Sequence, residues 1–98
     1  MKAVFDDRCP AWTKNIEHNI AFLRLQQTYL NEMLHRIGLV SIMDVYKCLG
    51  LAIDMKRLVD IPFKDLCWVY ENGDWIDFGM KPDADKNVIY LDFNIDID

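Results

Sequence analysis

Apolar positions recur at helical spacing through the first half of the chain and at strand spacing near its end. Ile16, Ile20, Leu23, Gln27, Leu30, Leu34 and Ile37 fall at alternating steps of four and three, the seam of one amphipathic helix. Phe22, Leu25, Tyr29 and Met33 form a second, adjacent stripe, so this helix meets more than one neighbour or pairs with a second copy of the chain. Pro10, following Asp6 and Asp7, suits the first turn of a helix and places its start near there, and Gly38 suits its end. Ser41 and Asp44 have capping-box spacing ahead of "VYKCL", predicting a second helix over 42–49 that Gly50 closes. Leu51, Met55 and Leu58 keep helical spacing, but Asp60-Ile61-Pro62 interrupts it. Residues 51–63 therefore read as an irregular crossover with one helical turn.

From Leu66 the period changes to two. "LCWVYE" and "DWIDFGM" flank Asn72-Gly73, the dipeptide of two-residue type I′ hairpins. "KPDADKN" is a loop, and "VIYLDFNI" a third strand with Ile89, Leu91, Phe93 and Ile95 on one face. The prediction is one α+β domain over residues 1–98, in which one long and one short N-terminal helix pack on a C-terminal three-stranded antiparallel meander. In the predicted hairpin Tyr70 opposes Trp75, Val69 opposes Ile76, Trp68 opposes Asp77 and Cys67 opposes Phe78, and opposed residues share a face. Cys67, Val69, Ile76 and Phe78 then line the core beneath the first helix. Trp68, Tyr70, Trp75 and Asp77 take the outer face, joined by Val88, Tyr90, Asp92 and Asn94. Either the crossover covers that face or a partner does, since Trp and Tyr beside charge are common interface anchors. Glu71 opposite Asp74 is a like-charge pair that a cation or a basic partner would relieve.

Charge sharpens this reading. Of the net −5, residues 1–49 carry six basic and five acidic groups (+1) and residues 50–98 five basic and eleven acidic (−6). An acidic half repels phosphate backbones and attracts a basic protein surface. Three cysteines, Cys9, Cys48 and Cys67, at wide, irregular spacing do not form a secreted disulfide framework and point to a reducing, cytoplasmic compartment. The start of the chain has no signal-peptide pattern, and no apolar run is long enough to span a bilayer, so no membrane association is expected.

Motifs for chemistry are weak. Asp83, Asp85 and Asn87 alternate like the start of a calcium loop, but Val88 stands where glycine is required and Asn94 where a bidentate glutamate is. His18 and His35 lie seventeen residues apart on one helix, about 25 Å by the helical rise, too far to share a metal. The cysteines lack zinc spacing and read as structural thiols. No phosphate loop or nucleophile elbow occurs. No cofactor, metal or catalytic residue is expected.

"LNEMLHRIGLVSIMDVYKCLGL" (residues 30–51), "WVYENGDWIDFGM" and "VIYLDFNI" together resemble the C-terminal region of an uncharacterised protein family encoded by phages and prophages of Gram-positive bacteria. In that family a helix ending in glycine leads into a strand-like V-S-L/I step, a D-x-Y-x-x-L-G-L helix, a Gly/Trp-rich acidic hairpin and an L-D-F/Y-N strand. The likeness covers residues 15–97 and leaves out the family's hydrophobic N-terminal part. It implies a phage-type origin and a binding role, and a host cytosolic location. The leading expectation is a small non-enzymatic inhibitor of a host protein with a basic surface, such as a nucleic-acid-directed defence effector (an anti-CRISPR-like role). Trp68, Tyr70, Trp75 and Tyr90 would be its anchors, and Asp74, Asp77, Asp83, Asp85 and Asp92 its charge partners. A self-assembling accessory protein that dimerises through Phe22, Leu25, Tyr29 and Met33 is the alternative. An enzyme, the third reading, would need a cleft holding an acid of raised pKa.

Overall fold

Asn15 starts the long helix, five residues later than Pro10 suggests. Its side chain accepts from the Glu17 and His18 amides at 3.0 and 3.2 Å, the geometry of an N-cap, and α1 runs over Ile16–Ile37. Pro10 instead lies in a turn region in which the Cys9 amide donates to Asp6 and the Trp12 amide to Cys9. The computed structural model describes residues 1–97 and is of α+β class. Gly38 ends α1 in the left-handed region at φ 95°, and its amide closes on the Leu34 carbonyl.

The remaining elements are β1 (Lys2–Phe5), β2 (Leu39–Ser41), α2 (Ile42–Leu49), α3 (Met55–Leu58), β3 (Cys67–Val69), β4 (Lys81–Asp83) and β5 (Val88–Asp92). The helix α2 has the predicted bounds, with a complete Ser41–Asp44 capping box and Gly50 at its end. The crossover supplies the one α-helical turn, α3, and a 3₁₀ turn at Phe63–Leu66.

The strands pair differently from the expected meander. A three-stranded antiparallel sheet has the order β1-β5-β4, so its first strand comes from the N-terminus. β3 leaves the predicted hairpin and pairs with β2, Leu39 opposite Val69, Val40 opposite Trp68 and Ser41 opposite Cys67. Around Asn72-Gly73 the chain forms a 3₁₀ turn at Tyr70–Asn72, with Gly73 left-handed and its amide on the Tyr70 carbonyl. The Asp74 amide reaches back to Val69 at 3.4 Å, so a four-residue turn replaces the two-residue one, and Glu71 does not oppose Asp74 as a ladder pair. One part of the expected order holds. Residues 77–78 run beside 92–94, with the Asp92 amide donating to Phe78 at 2.9 Å and the Asn94 amide to Asp77 at 3.2 Å.

The core lies between α1, α2 and the inner faces of both sheets. Phe5, Leu23, Leu30, Leu34, Val40, Ile42, Val45, Leu49, Ile76, Phe78, Ile89 and Leu91 are fully buried. Phe78 and Phe93 meet edge to face at 5.6 Å, and Tyr46 tilts onto Phe93 at the same distance.

Candidate partner-binding surface

Residues 74–80 have no regular strand pairing of their own, and side-chain amides satisfy much of their backbone. Asn31 on α1 accepts from the Ile76 amide at 2.8 Å and donates to the Ile76 carbonyl at 2.9 Å, as a neighbouring strand would. One turn earlier on α1, Gln27 accepts from the Phe78 amide at 2.9 Å. From the other side Asn94 accepts from the Asp77 amide at 2.8 Å and donates to the Trp75 carbonyl at 2.8 Å. The same Asn94 oxygen accepts the indole N–H of Trp68 at 3.0 Å. The segment is thereby clamped between α1 and the chain following β5. Ile76 and Phe78 point into the core, and Trp75 points out, 59% exposed.

This geometry sorts the residues expected at the surface. Trp75 and Tyr90 are exposed, uncovered by the crossover, and Asp77 and Asp92 face outward beside buried neighbours on alternating positions. Trp68 is the correction: it is buried, with its indole N–H satisfied, because pairing with β2 sets it against the core. Tyr70 is exposed but lies apart from the outer face of the three-stranded sheet. Its ring meets His35 edge-on at 4.7 Å, and its amide donates to the Gly38 carbonyl at the C-terminus of α1.

Several of the acids also serve the backbone. Asp74 accepts from the Val69 amide at 2.8 Å, Asp77 from the Gly79 amide at 2.9 Å and Asp83 from the Lys86 amide at 3.3 Å. Asp92 lies 4.0 Å from the Met1 amino nitrogen and opposite Lys2, and Lys81 pairs with Tyr90. The outer sheet face is therefore of mixed charge, with Asp85 exposed in the turn beyond it. The Asp83–Asn87 stretch does not gather as a calcium loop does. Asn87 stands at φ 51° and turns its side chain to the Thr13 carbonyl and the Asn19 amide group.

The second stripe of α1 is also divided. Leu25 and Tyr29 are exposed, whereas Phe22 stacks on Phe5 at 5.6 Å and Met33 packs against the core. Burial pushes the thiols of Cys9, Cys48 and Cys67 above their ordinary range, and it raises the Tyr46 hydroxyl as well. Among the described residues no three His, Cys, Asp or Glu side chains are placed to hold a metal. Among the described residues no helix is long and apolar enough to cross a membrane.

Gln27, Asn31 and Asn94 are the positioning residues the sequence reading missed. Gln27 had a signal: it is a polar residue inside an apolar seam, which calls for a buried polar group opposite it.

Fold and surface together define a small α+β domain that holds one exposed tryptophan on an amide-clamped segment. The chain belongs to a family of unknown function, DUF6353, which it matches over residues 1–98. No curated protein and no solved structure matches it.

Proposed function

We propose that this chain works by binding another protein, with Trp75 as the anchor and without chemistry of its own. The observation that carries this is the rigid presentation of Trp75. A large indole is held outward on a backbone fixed by Asn31, Gln27 and Asn94. An anchor whose backbone is already fixed loses less conformational freedom on binding, and tryptophan is the residue type most enriched at interface hot spots. Glu71, Asp74 and Asp77 flank it, and no lysine or arginine occurs between residues 65 and 80, so the complementary partner surface is basic. The narrower form of the proposal is a phage-type inhibitor acting in the host cytosol on a nucleic-acid-directed defence effector, whose channels are basic.

Affinity capture from bacterial lysate with wild type and with Trp75→Ala, both shown to be folded, tests the reading. The expected result is a partner retained by wild type, lost with Trp75→Ala and released by raised salt. Identical captured sets for the two proteins overturn it. A nucleic-acid-directed effector as the lost partner supports the narrower form.

Exposure of Leu25 and Tyr29 one turn apart favours a second reading, self-association through α1. With Phe22 and Met33 turned inward, two side chains must seed a contact that in stable dimers covers about 800 Å² per partner. Light scattering at low micromolar concentration decides it: a dimer that Leu25→Glu dissociates supports this reading, and a strict monomer removes it.

A further inference from the structure

We infer that the free edge of β1 and the cleft beside it take an extended acidic peptide as an added strand. The Phe93 amide donates to the Met1 carbonyl at 2.9 Å, and this bond sets the phase of the β1–β5 ladder. In an antiparallel ladder of that phase, Ala3 and Phe5 exchange hydrogen bonds with Leu91 and Ile89, and the amides and carbonyls of Lys2 and Val4 point the other way. Those four groups have no hydrogen-bond partner among the described residues. A strand edge in this state is a template for one more strand.

The edge borders a cleft of about 280 Å³ lined by Met1–Val4 on one side and Gly50, Leu51 and Ala52 on the other. A cleft that runs along a strand edge suits an extended segment of chain. The facing wall also excludes a second copy of this domain, since pairing two β1 edges needs their backbones about 4.8 Å apart. Buried Tyr46 and Cys9 also line the cleft.

Charge selects the peptide. Arg8 is matched by Asp6, to which it donates at 2.8 Å, and the side chains of Lys2, Arg8 and Arg57 against those of Asp6 and Asp54 leave the cleft lining a balance of +1. Lys2 and Arg57, both exposed at the cleft, have no ion-pair partner among the described residues. On a chain of net charge −5 this is a local reversal, and it suits acidic side chains on the added strand. The site is independent of Trp75.

The test is a titration of the ¹⁵N-labelled chain with a capped pentapeptide alternating aspartate and valine, and with its lysine–valine counterpart. The acidic peptide is expected to move the Lys2 and Val4 amide protons downfield and slow their exchange, and the basic peptide to do neither. Val4→Pro removes an outward N–H without breaking a β1–β5 hydrogen bond, a substitution edge strands tolerate, and should abolish the effect. Arg57→Glu, an exposed change that keeps the fold, should weaken binding about tenfold and decides the matter if Val4→Pro does not fold. Trp75→Ala should leave the titration unchanged. Unmoved Lys2 and Val4 amides at millimolar peptide, equal response to both peptides, or shifts centred on Trp75 overturn the inference.

Discussion

Asn31 and Trp75 invert the usual relation between side-chain polarity and stability. Asn31 is polar and half-buried, yet it alone pairs both backbone groups of Ile76. Asn31→Ala leaves that amide and carbonyl without partners in a part-buried position, a loss of about 1–3 kcal/mol. Trp75 is the larger and more apolar residue, but its side chain is mostly in solvent, so Trp75→Ala should change stability by no more than about 0.5 kcal/mol. Urea denaturation of both variants checks the pair. A Trp75→Ala loss as large as that of Asn31→Ala would place the indole in the core and remove it as a free anchor. The sequence made half of this visible. Alternation from Ile76 and Phe78 correctly sends Trp75 and Asp77 outward, because side-chain direction in an extended chain is local. The partners of the Ile76 and Phe78 backbone lie forty-five and fifty-one residues away, and no local pattern carries that information. Trp68 was misplaced for the same reason, since its burial follows from β2.

At the scale of elements, Gly38 and Gly79 both stand at positive φ, 95° and 58°, but for different reasons. A side chain at Gly38 would meet nothing within 4 Å, so Gly38→Ala costs only the left-handed conformation, about 1–2 kcal/mol. At Gly79 an added Cβ would run into the backbone carbonyl of Asp92, where the chain beyond β5 and the approach to β4 come together. Backbone cannot yield there as a side-chain tip can. Gly79→Ala should therefore destabilise clearly more than Gly38→Ala, with a lower urea midpoint; equal midpoints would show that β4 and β5 can separate there without loss. Elements whose signals are short-range were legible: the capping box and Gly50 bound α2 as expected, Gly38 ends α1, and alternation marks β5. The start of α1 was read from Pro10, but the side-chain oxygen of Asn15 reaches two helical amides and sets the start instead. β1 is four residues and β2 three, too short for periodicity to register. The Asn-Gly signal was real as a turn and misleading as a hairpin, because β3 finds its ladder with β2, and Asn31 and Asn94 hold the chain after Asp74.

For the whole molecule, the four groups whose proton affinity burial raises all act in the same direction. The thiols of Cys9, Cys48 and Cys67 and the Tyr46 hydroxyl are each held in the neutral form by desolvation. A group whose folded pKa lies above its unfolded one contributes its full stabilisation below the unfolded value, and that contribution is lost as pH rises through the folded value. With unfolded values near about 8.5 for cysteine and about 10 for tyrosine, thermal stability should be level through neutral pH and fall progressively above about pH 8.5. At the acid end Asp6 behaves oppositely. Its hydrogen bond from Arg8 lowers its pKa, so its contribution is present above the unfolded value and lost only as pH falls through the depressed one. That pair sits at the surface, where solvent screens it, so the acid limb should be the shallower of the two from this source. Melting curves from pH 2 to 11 alongside thiol titration of the native chain test the account. The buried thiols of Cys9 and Cys67 should react slowly at pH 8 until denaturant is added, whereas half-buried Cys48 should label first, and reactivity should rise over the same alkaline range in which the melting temperature drops. Rapid labelling of Cys9 and Cys67 in the folded chain at neutral pH, with no alkaline fall in melting temperature, would mean that these two thiols are poorly shielded.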